Sequence, residues 1–138
     1  MRRPIGPAPD IEPRECVVLF VCLHGMGMSR LAAAFFDRVA PAGWRAVSAG
    51  VQPGTTLSPT ASHLLAETPA APYLDRSAPG AVAAVAGAER VIALRNPSIQ
   101  FDLPGAEMWD LAAEEFDEDL RDEIRGRAER LAREIGSA

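Results

Sequence analysis

Short apolar runs alternate with amphipathic stretches along most of the chain. Residues 17–21 form a continuous β-branched and aromatic run, which is typical of a strand buried on both faces. Residues 114–135 instead place apolar side chains three and four positions apart, which is the spacing of an amphipathic helix. Strands are predicted at 17–21, 45–48, 91–94 and within 106–111, and helices at 31–39, 59–67, 81–86 and 114–135.

The alternation of strands and helices predicts an α/β domain. Right-handed connections between successive strands give a parallel sheet with helices on both sides. Residues 15–138 are expected to form this single domain, and residues 1–14, which hold four of the twelve prolines, a flexible N-terminal lead-in. Ligands of such sheets bind beyond the carboxyl ends of the strands, so the chemically active residues are expected there.

The end of the first predicted strand carries the clearest chemical pattern. Cys22 ends the strand, and Gly25 and Gly27 leave the following loop free of Cβ atoms, which permits close approach of a ligand. Ser29 is a candidate helix N-cap in front of an apolar helical stretch. Backbone N–H groups and the positive end of a helix dipole would converge beside Cys22, which favours anion binding and the nucleophilic thiolate.

The stretch from Val18 to Phe36 resembles the opening of the low-molecular-weight protein tyrosine phosphatases and of the thioredoxin-coupled arsenate reductases. Those proteins carry Cys, five residues, Arg, and then Ser or Thr on a strand, a loop and a helix. By this resemblance Cys22 is the nucleophile, and Ser29 is the hydroxyl that steadies its thiolate. Met28 occupies the position of the family arginine, so the resemblance is to a divergent member.

The resemblance implies a three-layer α/β fold with a four-stranded parallel sheet in the order 2-1-3-4. It also implies a site for phosphate or a similar oxyanion, with Ser48 of a Ser-Ala-Gly turn beside the loop. The expected partner is phosphate, or a phosphorylated small molecule or protein. The predicted oxyanion-binding residues are Leu23, His24, Gly25, Met26, Gly27, Met28 and Ser29 of the loop, together with Arg95 after the third strand.

Phosphomonoester hydrolysis is expected to be weak or absent. Met28 cannot donate the hydrogen bonds with which the family arginine grips a phosphoryl group. The Asp-Pro pair that supplies the family's general acid falls on an Ala-Glu sequence, which leaves Asp110, or Glu114, as a displaced catalytic acid. Arg30 and Arg95 are the two arginines that could replace the missing one.

Two other interpretations stay open. Residues 22–29 also resemble the loop of the B components of sugar phosphotransferase systems, which hold a phosphocysteine without a loop arginine. The protein would then be a phosphocysteine carrier, whereas a loop without reactivity would make it a non-catalytic binding module. Arsenate reduction is not expected, because residues 95–106 contain none of the further cysteines that this chemistry requires.

Composition and charge argue against several other classes. A formal net charge of −5 without a basic cluster argues against a nucleic-acid partner. Neither a signal peptide nor an apolar run of ~20 residues is recognised, so a cytoplasmic location without membrane association is expected. Cys16 and Cys22 lie at the two ends of one predicted strand, ~20 Å apart, which is too far for a disulfide. No cofactor and no metal site is expected.

Overall fold

The computed structural model describes residues 15–137, which fold around a four-stranded sheet. The predicted lead-in, residues 1–14, lies outside the described residues. The strands are β1 (Cys16–Cys22), β2 (Trp44–Gly50), β3 (Arg90–Arg95) and β4 (Glu107–Asp110). The helices are α1 (Met28–Val39), α2 (Pro59–Ala66) and α3 (Glu118–Gly136), with single 3-10 turns at Ala71–Tyr73 and Val82–Ala84. None of the helices in this part of the chain combines the length and the apolar character that a membrane span requires.

All neighbouring strands of the sheet are parallel, and their order, β2-β1-β3-β4, confirms the predicted topology. The side chains of β1 alternate between two apolar layers, as the pleat of a strand requires. Val18, Phe20 and Cys22 belong to the layer that they share with the three α-helices. Leu19 and Val21 belong to the opposite layer. Cys22 therefore ends its strand on the face of the sheet that carries α1.

Among residues 15–137, the opposite layer is covered by short segments and not by an α-helix. Val82, Val85, Phe101 and Leu103 pack there against the sheet. The helix predicted at residues 81–86 is only a 3-10 turn, closed by the Val85 N–H donating to the Val82 carbonyl. Glycines at both ends of this Ala-Val run leave too few residues for an α-helix to nucleate.

Helix α3 begins four residues later than its apolar periodicity predicts, at Glu118. Asp117 is the N-cap, because its carboxylate accepts hydrogen bonds from the backbone N–H groups of Asp119 at 3.0 Å and Leu120 at 3.3 Å. Residues 114–116 are therefore released from the helix, and they turn toward the carboxyl end of β1.

Helix α1 also begins at a different residue, because the predicted N-cap, Ser29, lies inside its first turn. Gly27 is the N-cap residue, and no side chain caps the helix. The prediction that Ser29 caps the helix is therefore wrong. Its hydroxyl instead contacts the sulfur of Cys22, which places the first turn of α1 directly behind the loop that follows β1.

Candidate oxyanion site at Cys22

The sulfur of Cys22 lies at the start of the loop that joins β1 to α1, and the side chain is buried. Its Sγ is 3.1 Å from Ser29 Oγ and 3.2 Å from the Gly25 nitrogen, whose N–H donates to the sulfur. These two contacts fix the position of the sulfur at the start of the loop.

We define the Cys22 loop as residues 23–29. Its peptide groups share one orientation, with their carbonyl oxygens on the outer side of the loop. Each backbone carbonyl from Cys22 to Gly27 accepts a hydrogen bond from the segment 51–58 or from α1. The bonds run from Val51 N to Cys22 O at 3.2 Å, Gln52 N to Leu23 O at 2.8 Å, Gly54 N to His24 O at 3.0 Å, Arg30 Nε to Gly25 O at 2.8 Å, Ser58 N to Met26 O at 2.9 Å and Arg30 N to Gly27 O at 2.9 Å.

The N–H groups of the loop consequently face its inner side. The described peptide bonds are all trans, and in a trans peptide the N–H points opposite to the carbonyl of the same unit. The N–H of Gly25 shows this direction, since it points to the Cys22 sulfur. Converging N–H groups at the start of a helix form a binding site for an anion. The direction of the peptides is thus the one that an anion-binding loop requires.

The Ser-Ala-Gly sequence is the end of β2 and not a turn, and its glycine contacts the Cys22 loop. Gly25 has a φ of +67°, and a Cβ atom on it would lie 2.8 Å from the Gly50 nitrogen. A Cβ on Gly50 would lie 2.4 Å from the carbonyl carbon of His24. The two backbones thus touch, which only glycine permits. Ser48 lies two residues earlier on β2, half-buried and opposite Phe20 in the strand register.

A cavity of about 370 Å³ opens on the inner side of the loop. One wall is Phe116, whose ring lies so close to Gly27 that a Cβ there would come within 2.7 Å of it. Glu114 and Glu115 are exposed residues that also line the cavity. The apolar lining consists of Leu23, Met26, Met28, Ile99, Phe116 and Leu120. The cavity therefore joins residues of the Cys22 loop to mostly apolar walls.

Asn96 is a site residue that the sequence did not single out. It is buried, and its Nδ2 donates to the carbonyls of Ala113 at 3.0 Å and Glu114 at 3.3 Å. Its Oδ1 accepts the N–H groups of Ser98 and Ile99. Asn96 thus holds the segment before α3 against the cavity. A polar residue that directly follows a buried strand is the signal that could have identified it.

The two arginines proposed as replacements for the family arginine lie elsewhere. Arg30 is buried behind the loop, with its Nε on the carbonyl of Gly25. Arg95, predicted to bind the oxyanion, forms an ion pair with Asp110 and donates to the Phe101 carbonyl at 3.1 Å. Neither guanidinium lines the cavity within the described residues, so Met28 keeps the place of the family arginine without an evident substitute.

Asp110, the predicted catalytic acid, is also directed away from the cavity. The hydrogen bond from Arg95 lowers the pKa of its carboxyl group below the usual range. An acid held in its ionised form has no proton to give to a leaving group. Glu114, the alternative named from the sequence, does line the cavity.

The remaining candidate ligands show no metal-binding arrangement. His24 lines the cavity at the exposed side of the loop, with its Nδ1 3.0 Å from the Gln52 carbonyl. Residues 15–137 contain no group of three or more His, Cys, Asp or Glu side chains placed to hold a metal ion. Cys16 and Cys22 are both free thiols, at opposite ends of β1.

No protein-family model and no curated protein sequence matches the chain, whereas solved structures do. An arsenate reductase from Archaeoglobus fulgidus is 25% identical, with a TM-score of 0.61, over 88% of this chain and 99% of its own. An arsenate reductase in the phosphate binding state is 20% identical, with a TM-score of 0.71, over 87% and 98%. A low-molecular-weight protein tyrosine phosphatase from T. tengcongensis is 20% identical, with a TM-score of 0.65, over 87% and 99%. The similar structures therefore come from the two groups that the sequence resembles, and they confirm the predicted fold.

Proposed function

We propose that this protein binds phosphate or a similar oxyanion in the Cys22 loop and hydrolyses phosphomonoesters weakly or not at all. The observation that carries the proposal is the direction of the loop peptides. Six carbonyls are held outward, which leaves the N–H groups of the same peptides for a ligand beside the Cys22 sulfur. One of the similar arsenate reductases is described in a phosphate binding state, which supports an oxyanion as the ligand.

In this proposal Cys22 is the nucleophile, or its relic if turnover has been lost. Its thiolate would attack the phosphorus of a bound monoester, so that a sulfur–phosphorus bond forms and the bond to the leaving oxygen breaks. The leaving oxygen takes a proton, and water then cleaves the phosphocysteine. Ser29, whose Oγ is 3.1 Å from the sulfur, orients the thiolate and stabilises it when it leaves again.

Turnover is slow because no guanidinium of residues 15–137 lines the cavity in which the transferring phosphoryl group would lie. Met28 is buried at the family's arginine position and offers no donor. Loss of one positioned donor costs about 3–4 kcal/mol of transition-state stabilisation, and a transition-state arginine is worth ~10³–10⁵ in rate. Of the displaced acids, Glu114 is the better candidate, because it lines the cavity and Asp110 does not.

A phosphocysteine carrier is the second candidate function. The observation that favours it is a cavity that Cys22 lines and that has no arginine among its lining residues within the described range 15–137. Such a site could accept a phosphoryl group on Cys22 and release it slowly to water. A loop that binds anions without forming this adduct would leave a non-catalytic binding module.

The direct test is hydrolysis of p-nitrophenyl phosphate by the wild type, Cys22→Ser and Met28→Arg. We expect little wild-type turnover, none with Cys22→Ser, and a gain of at least about tenfold with Met28→Arg, because the new guanidinium can grip two phosphoryl oxygens. Met108→Arg is the matched control, since it makes the same change on β4, away from the cavity. Inorganic phosphate should also slow alkylation of Cys22 in the wild type.

Each outcome separates the candidates. Fast wild-type turnover that disappears with Cys22→Ser would contradict the impaired phosphatase. A long-lived, acid-labile adduct on Cys22 would favour the carrier. If inorganic phosphate neither protects Cys22 from alkylation nor raises the melting temperature, the proposed oxyanion site is wrong.

A further inference from the structure

Arg30 is the one charged residue among residues 15–137 whose side chain is buried, with 2% of its surface exposed. It lies in the first turn of α1, two residues after Met28. Its Nε donates to the Gly25 carbonyl at 2.8 Å, and its Nη1 donates to the Asp75 carbonyl at 2.6 Å. The side chain thus links the Cys22 loop to the segment that carries Asp75.

The local contacts do not neutralise this charge. Two of the partners of Arg30 are neutral carbonyl groups. The carboxylate of Asp75 is 3.8 Å from Nη1 and is itself 54% exposed, so water weakens the ion pair. Burying a charge that is only partly paired is costly, and an apolar side chain would fill the same space without that cost. The charge of Arg30 is therefore better explained by a role than by packing.

The hydrogen bond to Gly25 acts on the inner side of the loop. The Gly25 carbonyl belongs to the same trans peptide as the Met26 N–H, which points the opposite way. A charged donor on the carbonyl fixes this peptide and polarises its N–H. Adding the lengths of the two hydrogen bonds and the peptide unit places the guanidinium about 8 Å from an anion in the loop.

We propose that Arg30 is a positioning residue for oxyanion binding, which holds the Met26 N–H toward the anion and raises the positive potential of the Cys22 loop from behind. The inference rests on the proposed function, since it concerns the same anion site. Because its Nε and Nη1 are both engaged behind the loop, Arg30 supports binding but cannot grip the transferring group as a loop arginine would. This explains how the loop keeps an anion site although Met28 has replaced the arginine.

The potential of the loop can be measured with two alkylating reagents of different charge. Cys22 attacks the methylene carbon of iodoacetate or iodoacetamide, and iodide leaves in both cases. Iodoacetate is an anion and iodoacetamide is neutral, so the ratio of the two rate constants at Cys22 reports the local potential. Thiolate content affects both rates equally and cancels in the ratio. Mass spectrometry of the peptide that carries Cys22 separates its reaction from that of Cys16.

Two variants should move this ratio in opposite directions. Arg30→Met removes the charge, and we expect the ratio of iodoacetate to iodoacetamide rate constants to fall about three- to tenfold. Asp75→Asn removes the exposed carboxylate that partly offsets Arg30, and we expect the ratio to rise about twofold. Arg125→Met is the control for loss of a positive charge, because Arg125 packs over the Phe35 ring on α1, away from the loop.

A purely structural role for Arg30 predicts a different pattern, since loosening the loop does not discriminate between the two reagents. An unchanged ratio in a folded Arg30→Met variant overturns the proposal. If Arg30→Met does not fold, Asp75→Asn decides: a rise supports the proposal, and no rise overturns it. The proposed function fails separately, if inorganic phosphate does not protect wild-type Cys22, because the reagent ratio is measured without phosphate.

Discussion

The carboxyl-terminal edge of the sheet has two halves, which both carry residues that the sequence assigns to the site and which differ in the structure. At the end of β1, Cys22 has Gly50 as its neighbour in the strand register. At the end of β3, Arg95 has Asp110. Glycine offers no side chain, so the cysteine is left for the loop and the cavity. Arg95 and Asp110 are opposite charges on adjacent strands, and they bind one another.

This difference shows that a position at the edge of a parallel sheet does not by itself make a functional residue. What decides is whether the neighbouring strand already satisfies the side chain. The carbonyls of the Cys22 loop are satisfied on its outer side, by the segment 51–58 and by Arg30, whereas Arg95 and Asp110 at the ends of β3 and β4 bind each other. The first half is therefore the one to which we assign the ligand, whereas Arg95 and Asp110 in the second half are already paired.

The largest expected effect comes from giving Gly50 a side chain. In Gly50→Ala the new Cβ would lie 2.4 Å from the His24 backbone, so the loop must move. We expect a loss of about 2–4 kcal/mol in unfolding free energy and no protection of Cys22 by inorganic phosphate. Denaturant unfolding and alkylation kinetics measure the two effects.

Gly126→Ala is the matched control for this substitution. Gly126 lies within α3, and a Cβ there meets no other atom within 4 Å. The control should gain about 0.5–1 kcal/mol in unfolding free energy, because alanine favours a helix. If Gly50→Ala keeps wild-type stability and phosphate protection, the close contact between Gly50 and the Cys22 loop is not needed for folding or for anion binding.

The comparison also explains which features the sequence could predict. Strands β1 and β3 are continuous apolar runs, and Cys22 with its glycines is a local pattern, so both were found within a residue or two. The pairing of Arg95 with Asp110 depends on the register of two strands, which apolar periodicity does not determine. The sequence therefore assigns Arg95 to the site from its place at the edge, and Asp110 as a displaced form of the family's general acid.

The beginning of α3 was missed for a similar reason. The apolar periodicity extends to residue 114, and propensity alone does not show that the Asp117 carboxylate will cap the helix at Glu118. Because Asp117 caps the helix, Glu114 and Phe116 lie outside it and line the cavity. The role of Asn96 in holding this segment depends on the same long-range arrangement and could not be predicted from local pattern.

The pH dependence of stability should distinguish a carboxyl group whose pKa is raised from one whose pKa is lowered. Asp37 is half-buried near the end of α1 and accepts the Ala46 N–H at 2.7 Å, and its removal from water raises its pKa to about 6. The folded state then binds a proton that the unfolded state has lost, so stability falls as pH rises from about 4 to about 6. Asp110, whose pKa is lowered by Arg95, has the opposite sign and loses its contribution as pH falls.

Asp37→Asn isolates the first of these effects. Allowing for its partial exposure, we expect the variant to be more stable than the wild type by about 1–2 kcal/mol at pH 8 and equal to it near pH 4. Denaturant unfolding at several pH values measures the difference. A wild type that gains stability relative to Asp37→Asn as pH rises to 8 would contradict a raised pKa.

The two acidic residues beside the cavity should weaken anion binding slightly. Glu114 and Glu115 are exposed and line the cavity that the N–H groups face. The double variant Glu114→Gln, Glu115→Gln should bind inorganic phosphate about two- to threefold more tightly, with the gain shrinking as salt is added. Glu67→Gln, an exposed acid at the end of α2, is the charge control. Equal affinity in both variants at low salt would place the two carboxylates outside the field of the bound anion.

The smallest effect is expected at the ends of β3 and β4, where Arg95 and Asp110 bind each other. Asp110→Asn removes the partner of Arg95, but both side chains are near the surface and neither lines the cavity. Combined with Met28→Arg, which supplies measurable turnover, it should leave p-nitrophenyl phosphate hydrolysis within about twofold, because surface ion pairs contribute little. Glu114→Gln in the same background is the informative partner and should lower the rate if Glu114 gives the leaving oxygen its proton. A loss of tenfold or more with Asp110→Asn, and none with Glu114→Gln, would identify Asp110 at the end of β4 as the general acid. Both halves of the edge would then belong to one site.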